Sequence, residues 1–223
     1  RLIEPYSGGK IMEIDIIFDT VCPWCYIGKK RLEKALAARP HIQVRQHWKP
    51  FLLNPEMPPG GIDRTAYLIK KFGSEARINH MYATLGEAGQ SVEINFAFDR
   101  ISKTPNSIPS HRWLLYAGRH GPVESVVEAL FVEFFINGRD TGNTDVLVEI
   151  GTAHGLDAGE LRAYLESNDG ESEIYDLNVQ AHRLGINGVP AFSFNSKFLI
   201  TGAQDSQVLA RMLDAAQATE TAA

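Results

Sequence analysis

Ile14-Asp15-Ile16-Ile17-Phe18-Asp19-Thr20-Val21-Cys22-Pro23-Trp24-Cys25-Tyr26-Ile27-Gly28-Lys29 is the stretch that decides the fold. Its first five residues are apolar and β-branched apart from Asp15, and they read as a buried strand. Two cysteines three apart follow at once. From Pro23 to about Ala38 good helix formers dominate, with Trp24, Ile27, Leu32, Ala35 and Leu36 available for a buried side. Lys29, Lys30, Glu33 and Lys34 are left for water, and the run Lys29, Lys30, Arg31 reads as a solvated face. Pro40 ends the helix. Residues 42–48 then alternate apolar and polar side chains through Ile42, Val44, Gln46 and Trp48, which is the period of a second strand. The chain opens β-α-β.

Further on, Lys49-Pro50-Phe51 and the proline-rich residues 54–61 interrupt regular structure, so a domain boundary is expected there. Between about 63 and 173 strand signals nearly vanish. Helical periods repeat instead, most clearly over 122–137, where Val126, Val127, Leu130, Phe131, Phe134 and Phe135 form one buried stripe rather than a cofactor box. Asn106 or Ser107 can cap a helix with Pro109 in its first turn, Thr144 or Asp145 can cap another, and Asp157 with Glu160 resembles a capping box. Residues 140–145 imitate a calcium loop but lack its ligand register and read as a turn. After a helix over about 173–184, Gly185 to Pro190 turns into an apolar strand at 191–194. Asn195-Ser196 is a tight turn into the next strand, and a last amphipathic helix spans about 205–216.

The expected fold class is therefore α/β, a thioredoxin fold (β-α-β, then α-β-β-α) with an inserted all-helical domain. Residues 12–62 and 174–218 form the thioredoxin-like domain and 63–173 the insertion. Residues 1–11 read as a leader or expression remnant, and 219–223 as a frayed tail.

Composition narrows the function. The 223 residues carry a formal net charge of -5 with 44% hydrophobic and 22% charged residues, which suits a globular domain and disfavours nucleic acid as partner. No run approaches the ~18 apolar residues of a membrane span, so a cytoplasmic protein without membrane contact is expected. The chain has two cysteines in all, which excludes a disulfide-stapled scaffold.

A Cys-x-x-Cys pair admits three readings: half of a zinc site, an inert pair of buried thiols, or a redox dithiol. His41 and His47 lack the spacing that would complete a zinc site, and no metal is expected. A helix start is a poor place for inert thiols. It is a good place for a reactive one, because the thiolate is the nucleophile and unpaired N–H groups there stabilise an anion. Pro23 suits the first helical turn, where its missing N–H costs nothing. On this reading Cys22 attacks a disulfide and Cys25, one turn further in, resolves the mixed disulfide.

The segment Asp19 to Lys29 resembles the active-site segment of DsbA-type oxidoreductases, specifically the FrnE-like branch. Trp48-Lys49-Pro50-Phe51-Leu52-Leu53-Asn54-Pro55, Pro105-Asn106-Ser107 through His111-Arg112, Gly188-Val189-Pro190-Ala191-Phe192 and Gly202-Ala203-Gln204 agree in order and spacing. The resemblance implies Cys22 and Cys25 as the catalytic pair, Pro23 and Trp24 tuning the site between the sulfurs, and a cis bond before Pro190 facing them. Val189 would offer its backbone to an extended substrate. His111 is a candidate for touching substrate or tuning Cys22, against a purely structural role. Gln204 and Asp205 are candidates for helix caps or for contacts to a glutathione-like peptide. Disulfide or dithiol substrates (protein, peptide or glutathione) are the expected partners. No bound cofactor is expected, with glutathione as the candidate co-substrate.

Relatives in the same broad family, the kappa-class glutathione transferases and the 2-hydroxychromene-2-carboxylate isomerases, carry serine where this chain has Cys22. A glutathione-dependent transferase or isomerase is therefore the second reading, since a hydroxyl cannot enter a disulfide cycle and Cys22 can. A redox-sensing binding module is a third. Composition and motifs leave the natural substrate, the direction of electron flow and the oligomeric state open.

Overall fold

The computed structural model describes residues 11–221. The leader reading of residues 1–11 falls, but for Ile11, outside the described residues. A four-stranded sheet lies at the centre, in the order β2-β1-β5-β6. Strands β1 (Met12–Phe18) and β2 (Val44–Pro50) are parallel and joined by helix α1 (Pro23–Ala37). Strands β5 (Ala191–Phe194) and β6 (Phe198–Thr201) form an antiparallel hairpin, and β5 pairs antiparallel with β1. Asn195 and Ser196 both have positive φ, and Lys197 N–H donates to Phe194 C=O at 3.0 Å, which closes the two-residue turn that lets the strands keep their twist.

Alternation along β1 sorts its side chains between two layers. Met12, Ile14 and Ile16 pack with Leu32 and Ala35 of α1, with Phe192 and Phe194, and with Leu209, Ala210 and Leu213 of helix α9 (Ser206–Thr221). Ile17 faces the other way, into a smaller cluster with Phe51, Ala191 and Ala181 of helix α8 (Glu171–Arg183). On that side Glu13 and Asp15 pair with Arg45, His47 and Lys49 of β2. The strand thus carries charge on one face and is still specified in register, because a one-residue slip would bury those charges.

Between β2 and α8 the chain builds the insertion: α2 (Arg64–Phe72), α3 (Glu75–Gln90), α4 (Ile108–Gly118), α5 (Glu124–Phe135), α6 (Thr144–Ala153) and α7 (Ala158–Glu166). The α5 stripe Val126, Val127, Leu130, Phe131, Phe134 and Phe135 is wholly buried. The insertion is not purely helical. Strands β3 (Ile62–Asp63) and β4 (Lys103–Thr104) make a two-residue antiparallel ladder within it.

Local departures from the sequence reading have physical causes. Lys49 and Pro50 extend β2 rather than ending it, because β2 is an edge strand and a terminal proline there forfeits no inner ladder bond. The cap of α6 is Asn143, whose Oδ1 accepts from Asp145 N–H at 2.8 Å, one residue ahead of the expected Thr144 or Asp145. Asp157 does cap α7, accepting from Glu160 N–H at 2.8 Å. The expected fraying from Thr219 is replaced by helix through Thr221, with Thr219 Oγ1 donating back to Ala216 C=O at 2.8 Å; residues 222–223 lie outside the described residues. Lys29 is not solvated at all, and its partner matters at the site.

Candidate active site

Cys22 stands where β1 has ended and α1 begins. Its backbone is extended (φ -96°, ψ 112°), it is the N-cap residue, and Pro23 occupies the first turn. No side chain caps this end and no acidic residue stands in the first turn, so the positive end of α1 is left to the Cys22 sulfur. Cys25 follows one turn on, its N–H donating to Cys22 C=O at 3.0 Å. Both are free thiols.

The two thiols differ in setting. Cys22 is 4% exposed and Cys25 1%. Burial, followed by Cys22 itself, pushes the Cys25 thiol well above its ordinary value of 9.0. The two sulfurs thus stand in chemically unequal settings, one at a helix start and one buried a turn behind it.

The loop before β5 comes down on this pair. The Val189–Pro190 bond is cis, Pro190 is buried, and Cys22 Sγ lies 3.8 Å from Val189 C=O. Gly28 makes the approach possible, since a Cβ there would sit 2.8 Å from Pro190 Cγ and 3.2 Å from Phe192 Cζ. Gly202 N–H donates to Pro190 C=O at 2.7 Å, and Arg31 Nη1 donates to Ala203 C=O at 2.5 Å, which brings the 202–204 loop to the same face. Gln204 turns its side-chain amide to Thr201 C=O at 2.8 Å, and Asp205 Oδ1 accepts from Gln207 N–H at 2.8 Å, as a cap of α9. Trp24 is half-buried and packs on the core that holds both cysteines.

That core is shared with the insertion. Phe18, Val21, both cysteines, Tyr26 and Ile27 sit in one cluster with Trp113, Leu130, Phe131 and Phe135. Tyr26 stacks on Phe131 with centroids 5.0 Å apart. Beside it Glu128 of α5 collects Tyr26 OH at 2.8 Å, Lys29 Nζ at 2.6 Å and Lys30 Nζ at 2.7 Å, while Lys29 also pairs with Glu33. Lys29 and Lys30 thus tether the dithiol helix to the insertion. Lys29 can be buried because two carboxylates meet it.

His111, on α4, has gone inward. It is 2% exposed, stacks edge-on with Phe18 at 5.3 Å, and places Nε2 3.4 Å from Asp19 Oδ1. The contact is close but not aligned as a hydrogen bond, and Nε2 has no other partner. Asp19 is fully buried; its Oδ2 accepts from Leu53 N–H at 2.8 Å and its Oδ1 from Val21 N–H at 3.4 Å. Asp19, Glu128 and Gly28 are site residues that sequence reasoning did not single out. For Asp19 there was a signal, a carboxylate between an apolar strand and a buried dithiol.

Among the described residues no three His, Cys, Asp or Glu side chains gather as metal ligands would. No described helix is long and apolar enough to cross a membrane.

Residues 13–214 match the family described as the DSBA-like thioredoxin domain. The chain belongs to that family. A crystal structure from Streptomyces coelicolor, described as a probable DsbA oxidoreductase, is 31% identical and superposes with a TM-score of 0.85 over 92% of this chain and 89% of that one. The Bacillus subtilis protein YwbO is 27% identical over 156 residues, 70% of this chain and 72% of that protein. The cytosolic disulfide reductase DsbM from Pseudomonas aeruginosa, solved with GSH, shares the fold at 19% identity, with a TM-score of 0.62 over 94% of this chain and 98% of that one. The DSBA-like fold and the helical insertion are therefore those of the family.

Proposed function

We propose that this DSBA-like protein is a thiol-disulfide oxidoreductase that exchanges disulfides with protein, peptide or glutathione substrates through Cys22 and Cys25. The observation that carries the reading is the asymmetry of the pair, with Cys22 at an uncapped helix start against Val189 C=O and Cys25 buried one turn behind it. In the forward half-cycle the Cys22 thiolate attacks a substrate disulfide, one substrate sulfur leaves as a thiolate, and Cys25 then displaces the other to leave a Cys22–Cys25 disulfide. The reverse passes the disulfide to a dithiol substrate.

Val189, Pro190, Pro23 and Trp24 would form the surface against which an extended substrate lies. No bound metal or organic cofactor enters this cycle; glutathione acts as a co-substrate that reduces or oxidises the pair. A cytoplasmic setting belongs to the same reading, with the cytosolic reductase DsbM as the neighbour that supports it.

Turnover of a model protein disulfide in the presence of glutathione tests the reading. The wild-type protein is expected to turn over and the Cys22→Ser protein to fall to the uncatalysed rate. Equal rates for the two would overturn it.

A further inference from the structure

Lys29, Lys30 and Arg31 are adjacent in sequence and end in different places. The two lysines meet the carboxylates of Glu33 and Glu128. Arg31 is half-buried and lies three residues on from Gly28, on the same face of α1. It donates from Nη1 to a backbone carbonyl, that of Ala203, at 2.5 Å.

Ala203 belongs to the short loop between β6 and α9, and that loop is bound in turn to the cis-proline segment. Gly202 N–H donates to Pro190 C=O at 2.7 Å, carrying the β5–β6 ladder one pair beyond Ala191 and Thr201. Gly202 takes φ +81°, a left-handed conformation that glycine adopts without strain. Ala203 and Val189 both pack on the cluster that contains Cys22 and Cys25. Helix α1 therefore holds the Val189–Pro190 segment at two points, Gly28 against the proline ring and Arg31 through Ala203 and Gly202. The ring contact limits how near the segment comes but does not stop it from lifting away. The Arg31 bond does, and a hydrogen bond from an ionised donor is about twice as strong as a neutral one.

We propose that Arg31 is a positioning residue for extended substrates: by holding the 202–204 loop it fixes the Val189 backbone, and so sets the preference for peptide over small disulfides. The inference rests on the oxidoreductase reading above, and the bonds made and broken are those of that cycle. Cys22 itself is placed by the end of β1 and the start of α1. Attack on a small disulfide that does not reach along Val189 is therefore independent of Arg31. A peptide lying as an added strand needs the Val189 backbone in one place, so its binding is not.

Two substrates separate these cases: an uncharged ten-residue peptide whose central cysteine carries a coloured aromatic thiol as a mixed disulfide, and the symmetrical aromatic disulfide alone. Release of the coloured thiolate is followed in single turnovers of the reduced protein over a range of substrate concentrations. In Arg31→Met, which keeps an apolar stem and loses the donor, the half-saturating peptide concentration is expected to rise about tenfold, the order of one hydrogen bond to a charged group, with the limiting rate within about twofold of wild type. The small disulfide is expected to react at the wild-type rate. Arg31→Lys, which can donate one bond to the same carbonyl, is expected to recover most of the peptide affinity. Gly202→Ala strains the same link from the loop side and is expected to show the same split between substrates. An equal loss on both substrates in Arg31→Met, an unchanged half-saturating peptide concentration, or no recovery in Arg31→Lys would overturn the proposal. Release from neither substrate by wild type would sink the oxidoreductase reading itself. Should Arg31→Met not fold, Gly202→Ala decides by the same split.

Discussion

Gly28 and Pro190 meet so closely that the smallest side chain at residue 28 would lie 2.8 Å from the Pro190 ring. This contact sets how near the loop before β5 comes to the first turns of α1, and with it the distance between Cys22 and Val189 C=O. Gly28→Ala gains about 1 kcal/mol in helix propensity, but overpacking against a fixed ring costs about 1–3 kcal/mol. The variant is expected to be less stable in urea by about 1 kcal/mol and slower in disulfide exchange. A more stable variant with unchanged exchange would show that the loop yields freely.

Glu128 links three side chains of α1 to the insertion. Burial pushes its carboxyl up, but the bonds from Lys29 and Lys30 outweigh it and hold the group below 4.5. A lowered acid favours the folded state above its unfolded pKa, and that contribution is lost as pH falls through the folded value. Wild-type stability should therefore drop as pH falls below about 4.5, and Glu128→Gln should lack that component of the slope. At pH 7 the variant is expected to lose about 2–3 kcal/mol, because Lys29 stays buried with Glu33 alone. Urea melts of both proteins across pH check it.

Arg112, next to His111, carries none of the redox chemistry and much of the insertion's order. It is 5% exposed, and its guanidinium donates to the carbonyls of Tyr164, Leu165, Ser167 and Asp169 at 2.7–3.1 Å. These close the C-terminal end of α7, where a cation also suits the helix dipole. Arg112→Met should cost about 3 kcal/mol in thermal or urea unfolding, since several buried carbonyls lose a charged donor together. Arg112→Lys cannot reach four acceptors with one ammonium and should recover only part of it.

Cys25 is expected to resist alkylation. In the Cys22→Ser protein the coupling to Cys22 is gone but burial, the largest cause of the raised value, stays. The rate of reaction with iodoacetamide should remain low at neutral pH and rise only well above pH 9.0. A midpoint below that would mean the thiol is not shielded as described.

The strand-dithiol-helix opening was legible because it is local: an apolar run, a break, a proline in the first turn. The α5 stripe was legible for the same reason, and so was the Asn195-Ser196 turn. What escaped depends on partners distant in sequence. Lys29 looks like any surface lysine until Glu128, 99 residues on, folds against it. Asp19 looks like the end of a strand until Leu53 N–H and His111 close around it. The cap of α6 fell one residue away because Asn143, Thr144 and Asp145 can all cap, and only tertiary packing fixes where the helix starts.

The account stands on one division of labour, attack by Cys22 and resolution by Cys25. Its most direct test is to offer glutathione disulfide to the reduced Cys25→Ser and Cys22→Ser proteins at neutral pH and follow adduct formation by intact mass. The Cys25→Ser protein should take up one glutathione, on Cys22, and keep it. The Cys22→Ser protein should remain unmodified over the same time. Faster modification of Cys25 than of Cys22 would contradict the account.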